Sequence, residues 1–359
     1  QAQTFLIADS AGRARTRFIS WQDTRAAAGR DALLGHPAFA AGFPAHCSFP
    51  ALLKELQVCQ LRLLRDGGAG PAADAERVVC LPEYVGWLAS GKHVLDNNLA
   101  AMSGLYSRRQ ESWWDLALNL CGLRKEQLAE VVPVGCVGAV TSRAAQEQFG
   151  LPPGLPLVLA GNDQTAGAYG AQVRERAAIL LTLGTAHVAY TCEPAAAGAG
   201  DAARWVVGPF PGGGTYRLAV EAAGGSVVNW ARGILAGAGD DEHFFRLAAQ
   251  APPGANGLRF TPDLPDGAGG WDGLGLHHGP ADLARSVLEA LSARIVGLVQ
   301  ALGTDPRRTP VLAAGGGSRQ PLWVAMVADA LGRTVEPVQA DPLAGAARMA
   351  HEALARRGG

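Results

Sequence analysis

One segment constrains this chain more than any other: V-L-A-G-N-D-Q-T-A-G-A-Y-G, Val158–Gly170, around Asp163. An apolar run stops at a glycine, presents one carboxylate and enters a small-residue helix. A carboxylate at the end of a buried strand is held at the mouth of a crevice, where open α/β sheets bind ligands. Two further apolar runs break the same way, I-L-L-T-L-G-T-A at Ile179–Ala186 and V-L-A-A-G-G-G-S-R-Q-P-L-W at Val311–Trp323. One carboxylate with two glycine turns suited to nucleotide phosphates points to phosphoryl transfer, which needs a proton acceptor, phosphate donors and positioning.

Composition narrows the class. With 48% hydrophobic and 18% charged residues over 359, the chain can bury a core and has room for two domains. Its 31 basic and 32 acidic residues, net charge -1, give no electrostatic case for nucleic acid or an anionic membrane surface. Apolar runs are strand-sized, so neither a membrane span nor a signal peptide is read. The six cysteines are scattered without a C-x-x-C pair, as expected of core thiols in a reducing cytoplasm. The chain opens abruptly at Gln1, inside what reads as a strand. Either it was cut or a preceding segment is missing.

Alternating and helical periods predict the elements. Gln3–Ala8 and Thr16–Trp21 read as a hairpin, Ala51–Leu64 as an amphipathic helix, and Glu76–Gly91 as a short helix with a glycine stop. Trp114–Leu120 and Lys125–Val131 read as further helices. Beyond residue 173, Thr182–Ala189, Thr215–Ala223 and Leu258–Thr261 read as strands, and Ala222–Leu235 as a helix. The segments 195–200 and 262–275 read as loops. Asp282–Leu302, Pro321–Leu331 and Pro342–Ala355 read as helices, and Pro310–Ala314 and Thr334–Pro337 as strands. The boundary is set near Val173, giving domains 1–173 and 174–359.

Asp163 is the candidate general base, since an ionised aspartate within hydrogen-bond reach of an alcohol can take its proton as the P–O bond forms. The other reading of Asp163 is a helix N-cap. Gly184 and Thr185 could wrap a phosphate, or form an ordinary hairpin turn. Gly315, Gly316 and Gly317 precede a helix start that favours anions, or simply make a tight connection. No Walker A loop, G-x-S-x-G elbow or H-E-x-x-H metal motif occurs. Magnesium held mainly by nucleotide phosphates would leave little trace in the sequence.

Taken in order, W-Q-D-T-R (Trp21–Arg25), L-P-E-Y-V-G-W-L-A-S-G (Leu81–Gly91), D-N-N-L-A-A-M-S-G-L-Y (Asp96–Tyr106), A-G-N-D-Q-T-A-G-A-Y-G, L-G-T-A and A-G-G-G-S-R-Q-P-L-W resemble the FGGY carbohydrate kinases over nearly the whole chain. The resemblance implies an α/β, two-domain actin-like (ribonuclease H-like) fold, with ATP and sugar meeting in a cleft between an N-terminal sugar-binding and a C-terminal ATP-binding domain. It implies transfer of the ATP γ-phosphate to a hydroxyl of a xylulose-like ketose or related sugar, with Asp163 as base and as a metal residue toward Mg2+. On the sugar side it places Gln1, Trp21, Asp23, Arg25 and Asn162. On the nucleotide side it places Gly184, Thr185, Gly225, the glycines 315–317 and Gln320. By analogy with relatives, a homodimer is expected.

Three departures stand out. The family's N-terminal phosphate loop, D-x-G-T-[ST]-S-x-[RK], is absent from the chain, and a chain truly starting at Gln1 is expected to lack kinase activity. Ala186 replaces the usual serine after Gly184-Thr185. Ala2-Gln3 replaces a methionine-histidine pair, so the acceptor is expected to differ from xylulose. The alternative is a non-catalytic relative that binds sugar or nucleotide. A third reading, an actin- or chaperone-like ATPase, would share only the fold class.

Overall fold

The computed structural model describes residues 3–71, 76–193, 205–235, 241–264, 267–303 and 308–358. The chain divides into two compact units. The first comprises Gln1–Gly170, Glu193–Tyr216 and Asp341–Gly359, and the second Ala171–Cys192 and Arg217–Ala340.

In the first unit the strand Phe5–Asp9 is buried along most of its length and pairs antiparallel with Glu76–Cys80, Phe5 opposite Cys80 and Asp9 opposite Glu76. The expected hairpin with Thr16–Trp21 is present only in part: residues 14–19 return antiparallel along the strand, through isolated bridges at Phe5–Ile19 and Ala8–Ala14 and a Thr16 N–H bond to the Ile7 carbonyl at 3.3 Å, without forming a continuous strand. Residues 76–80, read as the start of a helix, extend instead, and the helix begins at Leu81. There Pro82 occupies the first turn and the Glu83 carboxylate accepts the Cys80 N–H at 3.0 Å. Lys125–Val131 likewise divides into a single 3-10 turn, Lys125–Gln127, and a strand, Glu130–Val132. The core beneath is aromatic: Phe39 stacks on Trp114 at 4.9 Å and 15°, with Phe43, Leu61 and Leu118 packed around them.

The second unit is built on a sheet ordered Thr215–Glu221, His187–Glu193, Ile179–Leu183, Val311–Ala314, Val335–Pro337. The stretch read as one strand, Thr182–Ala189, is two antiparallel strands turning at residues 184–186, with Leu183 opposite His187. Val311–Ala314 runs parallel to Ile179–Thr182, and Val335–Pro337 parallel to Val311–Ala313. Ile179, Leu181 and Leu183 send every second side chain into one core with Val227, Val287, Leu291, Ile295 and Trp323, the period of two that a packed strand requires. The helix Pro280–Ala301 buries Ala284, Val287, Leu288, Leu291, Ile295 and Leu298 along one stripe, and Asp282 caps it by accepting the Gly279 N–H at 2.8 Å. Part of the segment read as a loop after residue 261 is a strand, Gly270–Asp272, pairing with Arg259–Thr261.

Candidate active site

Asp163 is the first residue of the helix Asp163–Gly170, and it is exposed. Its Oδ1 accepts the adjacent Gln164 N–H at 2.8 Å, while the N-cap itself is its neighbour. The Asn162 side-chain oxygen accepts the Thr165 N–H at 2.9 Å, and its carbonyl accepts the Ala166 N–H at 2.9 Å. Asn162 is in turn held by Asn98, which is fully buried on the helix Asn97–Met102. Asn98 Oδ1 accepts from Asn162 N at 3.1 Å and from Asn162 Nδ2 at 2.9 Å. Asn98 Nδ2 donates to Thr165 Oγ1 at 3.1 Å and to the Pro209 carbonyl at 2.9 Å. Gly161 has φ +73°, and a Cβ there would lie 3.0 Å from Asn98 Oδ1. Left-handed backbone and close approach both select glycine.

The strand before this turn, Pro156–Val158, is short, half-buried and paired only with Val137–Val140. The expectation of a buried strand delivering the carboxylate is corrected: an asparagine pair fixes the turn. Across the helix, Gly345 of the helix Pro342–Gly358 sits so near Ala166 and Gly170 that an added Cβ would lie 1.8 Å from the Ala166 carbonyl oxygen.

Trp21 is 44% exposed and therefore available for contact. Asp23 and Arg25 pair bidentately, Arg25 Nη2 to Oδ2 at 2.5 Å and Nε to Oδ1 at 2.9 Å, and the guanidinium holds the Asp23 carboxyl below the usual range. Asp23 is thus occupied, and Gln60 Nε2 donates to its carbonyl at 2.6 Å. No ion pair joins this group to Asp163 among the described residues. Gln1 lies outside them.

In the second unit a cavity of about 400 Å3 brings together Gly184, Thr185, Gly225, Gly316, Gly317 and Gln320. Gly184 and Thr185 form the turn between two strands, and their carbonyls accept the N–H groups of Gly225 at 2.8 Å and Ser226 at 3.0 Å. The helix Gly225–Leu235 is thereby docked on the turn. A Cβ at Gly225 would lie 2.6 Å from the Gly184 oxygen, so only glycine permits this approach. In the triplet, Gly315 has φ +87° and would strike the Leu183 backbone, while a Cβ at Gly317 would strike Trp323 and Leu183. Gly316 lines the cavity, where a Cβ would meet only Arg319 Nη2 at 3.9 Å; Gly315 supports it from outside. Six lining residues that the sequence reading missed are Leu183, Val228, Asn229, Phe245, Arg319 and Trp323. Behind the wall His187 is fully buried and packs 5.4 Å from Trp323, and burial lowers its pKa to about 4, keeping it neutral.

Among the described residues no three His, Cys, Asp or Glu side chains cluster as a metal site, and no helix is long and apolar enough to cross a membrane. A lone aspartate fits a magnesium ion that keeps its waters and takes most ligands from phosphates.

One unit carries a sheet whose glycine turn holds a helix start, and the other an exposed aspartate at the head of a helix, features suited to phosphate handling in an α/β protein. The profile of the FGGY family of carbohydrate kinases, N-terminal domain, matches residues 1–170, and that of the C-terminal domain matches residues 181–354. The chain belongs to this family and has its actin-like, ribonuclease H-like fold. It is 24% identical to a gluconokinase of Bacillus subtilis over 350 residues, 88% of this chain and 65% of that protein. To a xylulose kinase of Escherichia coli it is 25% identical over 300 residues, 77% and 59% respectively. It thus spans about six-tenths of the length of these curated relatives. Among solved structures, xylulose kinase from Rhodospirillum rubrum superposes with a TM-score of 0.85 at 24% identity, covering 99% of this chain and 74% of the other. Gluconate kinase from Lactobacillus acidophilus gives 0.85 at 21%, with the same coverage.

Proposed function

We propose that the chain carries out ATP-dependent phosphorylation of a sugar hydroxyl, with Asp163 as general base. One observation carries this reading: Asp163 heads its helix with an exposed carboxylate while Asn162 does the capping. Family membership supports the reaction class, and similarity to xylulose kinases and gluconokinases favours a ketose such as xylulose or a sugar acid such as gluconate as acceptor.

In this reading the acceptor hydroxyl gives its proton to Asp163 as its oxygen bonds to the γ-phosphorus. The bond from that phosphorus to the β,γ-bridging oxygen breaks and ADP leaves. Trp21 offers an aromatic face beside the sugar, the Asp23–Arg25 pair and Asn162 offer polar groups, and the family resemblance assigns Gln1 to the sugar as well. Gly184, Thr185 and Gly225 lie along the phosphates, with Gly316 and Gln320 toward the base of the nucleotide. Magnesium, when bound, would neutralise phosphate charge, with Asp163 as the carboxylate facing it. We assign sugar binding to residues 1–173 and nucleotide binding to 174–359, and take a cytoplasmic homodimer as the working state.

Asp163→Asn, made in the complete protein, tests the base. Coupled ADP-release assays should show turnover reduced about 10³-fold with sugar affinity retained. Unchanged turnover would remove Asp163 from this role.

A further inference from the structure

A second cavity, of about 500 Å3, lies wholly within the first unit, walled by Asn97, Arg108, Glu111, Cys136, Phe210 and Thr215 among others. Its size suits a small metabolite. Arg108 is half-buried and anchored from behind: its N–H donates to the His46 carbonyl at 2.8 Å and its Nε to the Cys47 carbonyl at 3.0 Å. Among the described residues no carboxylate pairs with its guanidinium. Glu111, on the same wall, is exposed and makes no ion pair with it.

The buried titratable groups that face Arg108, Tyr216 and Cys47, are uncharged at neutral pH. Burial pushes the Tyr216 phenol up to about 12 and raises the Cys47 thiol. Burial, then the charges of Arg109 and Arg108, lower the pKa of His46. A guanidinium keeps its proton throughout this range, and a partly desolvated cation without a counter-charge favours an incoming anion. Neutral polar groups stand nearby: the Asn97 amide, whose oxygen accepts the Val134 N–H at 3.0 Å, and the Thr215 hydroxyl. Pro209, also in the wall, accepts a hydrogen bond from Asn98, the residue that holds Asn162 beside Asp163.

We propose that this cavity binds a small polyhydroxylated anion, its carboxylate or phosphate seated on the outer edge of the Arg108 guanidinium and its hydroxyls against Asn97 and Thr215. The assignment rests on binding groups of the first unit and stands whether or not Asp163 acts as a base.

Calorimetric titration of the full protein with D-gluconate, D-glucose 6-phosphate and the neutral D-glucitol tests it. At least one anion should bind about tenfold or more tighter than glucitol, and which anion binds says whether the head is carboxylate or phosphate. Arg108→Gln, checked for folding by circular dichroism, should erase that preference. Cys136 locates the site, because it lines the cavity and is the one exposed thiol of the six: the bound anion should slow its alkylation severalfold. If Arg108→Gln does not fold, alkylation of the unmodified protein decides. Equal affinity for glucitol, no binding of either anion, a folded Arg108→Gln with its preference intact, or anion binding without protection of Cys136 would each overturn the proposal.

Discussion

Asn98 and Asn162 form a two-bond clamp, one amide oxygen receiving both the main-chain and the side-chain N–H of its partner. The clamp is closed on the other side by Thr165 and Pro209, so Asn98 saturates its amide inside the core. Asn98→Ala strands several buried polar groups at once. We expect a loss of about 3 kcal/mol in urea unfolding, and a fall in turnover larger than any change in nucleotide affinity. Wild-type stability for this variant would refute the clamp.

Gly345 lets two helices cross at backbone contact. Gly345→Ala inserts a methyl where the Ala166 carbonyl already sits and should cost about 2–3 kcal/mol, read as a lowered midpoint in thermal or urea melts. A neutral result would mean that the helices separate freely.

Two glycines of one helix should respond oppositely. Gly225→Ala collides with the Gly184 carbonyl, and should weaken ATP binding about tenfold or more in equilibrium titration. Gly233, exposed and with open space around it, should accept alanine with a gain of about 0.5–1 kcal/mol. Matching behaviour of the two variants would contradict the assigned packing.

His187 makes the second unit acid-labile. Its folded pKa of about 4 lies below the ordinary 6.5, so the unfolded chain binds the extra proton. Stability is full above pH 6.5 and falls by about 3 kcal/mol as pH drops to 4. Buried Asp96, raised to about 6 by desolvation, acts in the opposite sense over the same range. His187→Phe isolates the histidine: the difference between variant and wild type, measured by urea unfolding at pH 7 and pH 4.5, should shift by about 2–3 kcal/mol. A pH-independent difference would exclude the effect.

The chemistry of the site was legible where it is local. Apolar run, glycine and carboxylate fall within a few residues of one another, and so do the strand and turn at Gly184. The family motifs run along the chain in order, which placed the fold. What escaped depends on distant partners. Asn98 is 64 positions from Asn162, and no local period reveals an amide clamp. Thr16–Trp21 alternates like a strand and does return along Phe5–Asp9 at Ile19 and Thr16, but the continuous ladder of that strand is with residues 76–80, whose own extended character was hidden by the helix that follows at Leu81. Asn229, Phe245 and Trp323 look like ordinary helix positions until docking of the helices turns one face toward the cavity.

The pairing of Gly345 with Ala166 also sets an order of events during synthesis. The helix headed by Asp163 emerges from the ribosome long before residues 342–358 exist, so it waits without its packing partner while the whole second unit is made. Its face around Ala166 and Gly170 lacks that partner until then, so the close crossing of the two helices forms only after residues 342–358 have been made.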